Sequence, residues 1–188
     1  LAMQEPTDVE ARIRDLDVAL IVSGAPDREA DVHMLLRALQ AYMPNDDSVH
    51  PRLVPDHIPL TQTNAARTVD EYAEAPSLSA FLRRCPQPSC PYGAPFVVRG
   101  FARDWPAMSR WRDPSDLCRR AGPGRVVPVE KGLSYTDEAW GQGIVPWSDF
   151  LARIGWSSSA CEPLYLAQHT LHTQFPWLAH DIILPDYV

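Results

Sequence analysis

The chain has 188 residues, 45% of them hydrophobic and 22% charged, which is ordinary for a soluble globular domain carrying an appendage. A net charge of −7, from 17 basic and 24 acidic residues, argues against direct nucleic-acid binding through phosphate neutralisation. The same acidity suits either simple solubility or a basic peptide partner, and no apolar run approaches the roughly 20 residues that cross a bilayer.

Nineteen prolines against nine glycines announce stiff loops and short elements. Cys85, Cys90, Cys118 and Cys161 contain no CxxC pair and are too sparse for a disulfide scaffold, so they read as intracellular thiols. Cys85 with Cys90 is the one plausible disulfide. The opening LAMQEP has no Met at position 1, which leaves room for an upstream targeting segment.

In chain order, Val9, Ile13, Leu16 and Leu20 recur at helical spacing, with Gly24 a stop. A second stripe follows in Val32, Leu35, Leu36 and Leu39, with Asp27 a candidate cap. Residues 1–43 therefore read as a helical hairpin, a packing appendage rather than an active site. Residues 44–75 are polar and proline-punctuated, and read as a linker or irregular strap.

Beyond that point strands and short helices alternate. PSLSAFLRRC is helical with a proline at its start, and APFVVRGF is a strand ended by Gly100. DWPAMSRW and DPSDLCRRAG give a turn and a helix closed by Gly122. GRVVPVEKG is a strand whose Pro128 requires an edge or a bulge. PWSDFLARIG is a short helix burying Phe150, Leu151 and Ile154, and PLYLAQH is a further strand. The class is α+β, and three convincing strands are too few for a closed sheet.

Few residues carry chemistry on their own. HExxH, GxSxG, the P-loop and GxGxxG are all absent. His169 and His172 invite a metal, but no third ligand has diagnostic spacing. VPVEKGLSYTDEAW places Glu130 at a strand end beside Tyr135 and Trp140. A carboxylate with two aromatic faces suits a cationic side chain, by hydrogen bonds to a guanidinium and by cation–π contact. The plainer alternative, a core tryptophan beside a solvated glutamate, accounts for the composition equally simply.

Three blocks carry a resemblance. PFVVRGFARDWPAMSRW, RVVPVEKGLSYTDEAWGQGIVPWSDFL and PLYLAQHTLHTQFPWLAHDIILPDY, spread over residues 76–188, resemble the N-terminal part of JmjC-domain, cupin-like oxygenases. They are most similar to the type described both as an arginyl hydroxylase and as a lysine demethylase. The resemblance implies a double-stranded β-helix, here incomplete and preceded by an α-helical segment, with Fe(II) and 2-oxoglutarate as cofactors. It implies a protein or peptide substrate with a basic side chain, histones among them, and a nuclear or cytoplasmic location. By the same resemblance Tyr165 contacts a 2-oxoglutarate carboxylate, while Glu130, Tyr135, Trp140 and Gln168 border the substrate pocket. Tyr165 and Gln168 are an odd number of residues apart, so both can face one pocket only if the strand bulges or ends between them.

The family's iron is held by a His-x-Asp/Glu pair and a distal His. None of the six histidines here is followed two residues on by Asp or Glu. The chain is thus expected to be truncated before the iron-binding motif, with no catalytic or metal-binding residue of its own, and to be inactive as it stands. The alternative is a JmjC-like peptide-binding module that has dispensed with the metal.

Overall fold

The structure, a computed structural model, describes residues 6–44, 69–84, 93–132, 136, 140–153 and 164–186. Two antiparallel helices lead, α1 (Pro6–Ser23) and α2 (Glu29–Gln40). Val9, Ile13 and Leu20 of α1 are buried against Leu36 of α2, the contact their helical spacing demands. Gly24 closes α1 at φ +66, its N–H bonded to the Leu20 carbonyl. Asp27 does not cap α2: it sits at φ +63, and Arg28 holds the cap position without a side-chain bond. Leu35, expected on the buried stripe, is 49% exposed.

The stretch expected to be an irregular strap carries a strand, β1 (Asp70–Tyr72), in its described part. β1 pairs in parallel with β2 (Phe96–Val98). Between them α3 (Leu78–Leu82) starts at Ser77, whose side chain accepts from the Ala80 N–H. Arg84 ties the unit together: its guanidinium bonds Asp70 and the Tyr72 hydroxyl and lies over the Tyr72 and Phe96 rings.

Two further helices, α4 (Ala107–Arg110) and α5 (Pro114–Ala121), lead into a second sheet. Its strands are β3 (Val126–Lys131), β4 (Gly141–Pro146) and β5 (Leu164–Tyr165), in the order β4-β3-β5. β4 was not legible in the sequence, and β5 is shorter than PLYLAQH suggested. β3 is central only at Glu130 and Lys131, where β5 pairs with it. Pro128 has a strand on one side alone, so its missing N–H disrupts no second ladder.

Strand alternation divides β3 between two environments. Val127 and Val129 face a core built from Leu117 and Cys118 of α5, Trp147, Phe150 and Leu151 of α6 (Trp147–Arg153), and Leu164, Phe175 and Leu178. Trp147 stacks on Phe150 and tilts against Phe175, with centroids 5.6 and 5.0 Å apart. The opposite face of β3 is covered at its start by α1 and, among the described residues, borders a cavity further on. Asp17 of α1 is completely buried there, bonded to the Arg125 guanidinium and to the Val126 N–H.

The last described stretch holds α7 (Leu171–Gln174) and a 3₁₀ turn, Pro176–Asp181. Asp181 is fully buried and accepts from Arg110, Trp111 and Arg120. Ile154, Tyr135, Cys85, Cys90 and Cys161 lie outside the described residues. Cys118 is buried as a thiol.

Candidate functional site

On the sheet face turned away from the core, pairing brings Pro128 opposite Ile144, and Glu130 opposite both Gln142 and Tyr165. These side chains share one face because opposed residues in an antiparallel ladder point the same way. A cavity of about 480 Å³ opens there, lined by Ile21, Pro128, Val129, Glu130, Gln142, Gly143, Ile144, Ala167, Gln168 and His169. One apolar wall, Ile21, comes from the helical hairpin. The polar groups are one carboxylate, two amides and an imidazole.

Glu130 and Gln168 meet in this cavity despite the parity of their positions. The chain leaves the ladder after Tyr165, and Gln168 adopts a left-handed backbone at φ +52, which turns its direction away from that of a continuing strand. Tyr165 shares the sheet face with Glu130, is 64% exposed and does not line the cavity. Trp140 stands just before β4, half-buried and close to the end of β3: a Cβ at Gly132 would lie 3.1 Å from the Trp140 Cα. It is not among the lining residues either, and Tyr135 lies outside the described residues.

Sequence reasoning missed Gln142, because β4 was missed. It read His169 as a structural or surface histidine rather than a metal ligand, and so did not place it in the cavity. His169 precedes α7, and its Nε2 lies 2.9 Å from Oε1 of the buried Gln174, while His172 is exposed on α7 itself. Among the described residues no group of three His, Cys, Asp or Glu side chains is placed to hold a metal ion. The sequence holds no His-x-Asp/Glu pair of the kind that contributes to the facial triad of non-haem iron oxygenases. Tyr165, the one residue that the resemblance assigns to 2-oxoglutarate, offers a single hydroxyl donor.

No family model matches the chain. Among curated proteins it is 36% identical over 155 residues to Jumonji C domain-containing protein 5 of Drosophila melanogaster, covering 80% of this chain and 37% of that protein. The chain is a relative of JmjC-domain proteins. It is 42% identical over 112 residues to lysine-specific demethylase JMJ30 of Arabidopsis thaliana, covering 59% of this chain and 25% of the relative. Lysine-specific demethylase 8 of Danio rerio is 38% identical over 93 residues, with shares of 50% and 23%. The chain thus spans between about a quarter and just over a third of the length of these curated relatives. A match over 80% of the chain is longer than residues 76–188, so the JmjC likeness reaches upstream of the three sequence blocks. The JmjC demethylase family works with Fe(II) and 2-oxoglutarate.

Proposed function

We propose that these residues form the substrate-side wall of an Fe(II)/2-oxoglutarate-dependent JmjC oxygenase acting on a basic protein side chain, with arginine preferred over methylated lysine. The observation that carries the reading is the placing of Glu130 in a cavity with Gln142 and Gln168, on the sheet face left open by the core. A guanidinium presents five N–H donors in a plane, and a carboxylate flanked by two amides matches that edge. A fully methylated ammonium has no N–H and gains nothing from amide acceptors. Trp140 and Tyr135 would supply flat faces near the pocket, and Tyr165 one of several contacts to the cosubstrate. The sheet would be part of a double-stranded β-helix, and the iron ligands would come from residues other than these 188.

The substrate would be a protein, histones included, met in the nucleus or the cytoplasm; relatives named as lysine-specific demethylases support a basic side chain as the target. They also keep lysine demethylation in view as the competing reaction. The missing His-x-Asp/Glu favours a second reading, a peptide-binding module without catalysis. Succinate release by the full-length gene product, with an arginine peptide and its trimethyl-lysine twin, separates these readings. We expect turnover on the arginine peptide, reduced about 10- to 100-fold by Glu130→Ala through loss of a charged hydrogen-bond partner. Equal turnover by wild type and Glu130→Ala would reject the pocket; peptide binding with no succinate release would favour the module.

A further inference from the structure

Gln174 is completely buried, and its two amide ends are not interchangeable. Its Nε2 donates to the backbone carbonyl of Val126 in β3. Turning the amide over would set two acceptor oxygens against each other at a fully buried position, so the orientation is fixed. Oε1 therefore faces His169, 2.9 Å from Nε2 of the ring. An amide oxygen accepts only, so the His169 Nε2 must carry the proton. In the neutral ring this leaves Nδ1 as an acceptor. His169 lines the same cavity as Glu130.

We infer that His169 is a specificity-determining residue of this cavity: held by Gln174 as the Nε2–H tautomer, it accepts through Nδ1 from an N–H of the bound basic side chain. The inference rests on the Glu130 pocket proposed above and deepens it. Glu130 alone attracts any cation, because Coulombic attraction does not count N–H groups. An imidazole acceptor does count them: a guanidinium or unmethylated ammonium can donate to Nδ1, whereas a trimethyl-lysine cannot. His169 therefore adds discrimination that the carboxylate lacks. Gln174 is a positioning residue that acts through His169.

Two isosteres separate the ring's two nitrogens. In His169→Gln the terminal amide reaches the Nε2 position, so the bond to Gln174 survives while the acceptor at Nδ1 is lost. In His169→Asn the shorter amide keeps a polar atom near Nδ1 and gives up Gln174. Calorimetric titration of the full-length gene product with an arginine peptide and its trimethyl-lysine twin reads the preference directly. We expect His169→Gln to keep the wild-type melting temperature and to lower the arginine-to-trimethyl-lysine affinity ratio about tenfold, the size of one hydrogen bond to a charged group. His169→Asn should retain more of the ratio. An unchanged ratio in His169→Gln, or equal losses in both variants, overturns the role of Nδ1 provided Glu130→Ala still weakens binding. If Glu130→Ala also binds like wild type, the pocket itself falls and the inference with it.

Discussion

Asp17 and Arg125, 108 residues apart in sequence, meet through two hydrogen bonds of 2.8 and 2.7 Å with both side chains buried. Further bonds hold each partner in place. Arg125 also donates to the Gln174 carbonyl and lies 4.4 Å from the centroid of the Phe175 ring, while Asp17 accepts from the Val126 N–H. A helix of the N-terminal hairpin is thereby fixed to the first residue of the central strand.

Removing one partner leaves an unpaired charge in a largely buried position. Asp17→Ala is expected to destabilise the fold by about 3–5 kcal/mol, and Arg125→Met by a similar amount. Asp17→Leu combined with Arg125→Met should cost far less than the sum, because no charge is then stranded. Urea unfolding of the two single variants and the double variant checks this, and additive losses would contradict it.

Asp181 gives stability a pH dependence. Burial alone would raise its carboxyl, but hydrogen bonds from Arg120, Arg110 and Trp111 outweigh that and hold it down to about 2, against an ordinary 3.8. A carboxyl depressed in the folded state stabilises fully above its unfolded value. That contribution is lost as pH falls through the folded one. Wild-type protein should therefore keep the contribution down to about pH 4 and shed it towards about pH 2. Asp181→Asn should melt lower at pH 6, with the gap to wild type narrowing across that window.

Gly122 ends α5 at φ 78 and ψ 168, a region essentially closed to L side chains, and a Cβ there would lie 2.6 Å from Nε2 of Gln40. That amide donates to the Ala121 and Pro123 carbonyls, joining α2 to the end of α5. Gly122→Ala should cost more than the roughly 1–3 kcal/mol of backbone strain alone. Gln40→Ala in the same chain should remove the excess, which a double-mutant cycle by thermal denaturation will register as coupling.

Gln168 allows stability and binding to be separated. Its left-handed backbone costs a side-chain-bearing residue about 1–2 kcal/mol that glycine does not incur. Gln168→Gly should leave the melting temperature unchanged or raised while weakening an arginine peptide. A variant that binds as wild type would remove Gln168 from the pocket.

The sequence made some of this visible and hid the rest for physical reasons. The stripe of Val9, Ile13 and Leu20 announced α1, because burial on one face follows the helical period. β4 escaped because GQGIVP carries two glycines and no alternation, and is held as a strand by its pairing with β3. β1 escaped because Asp-Glu-Tyr has little strand propensity, and its charges are met by Arg84 and Arg99 across the unit. Asp17 looked like one more solvated charge on an amphipathic helix, and nothing local points to a partner 108 residues on. At the site, Glu130 stood out by its motif. The convergence of Gln142, Gln168 and His169 on it depends on a strand that ends early and a backbone that turns left-handed, which no periodicity records.

The buried Asp17–Arg125 pair bears on how this protein can be dissected in the laboratory. A cut after residue 43 looks natural, since a polar, proline-rich stretch follows. Such a cut would strip Ile21 from the cavity wall and strand the Arg125 guanidinium beside an exposed strand. A protein shortened this way would arrive insoluble or misregistered, and its silence in an assay would reflect the scissors rather than the pocket.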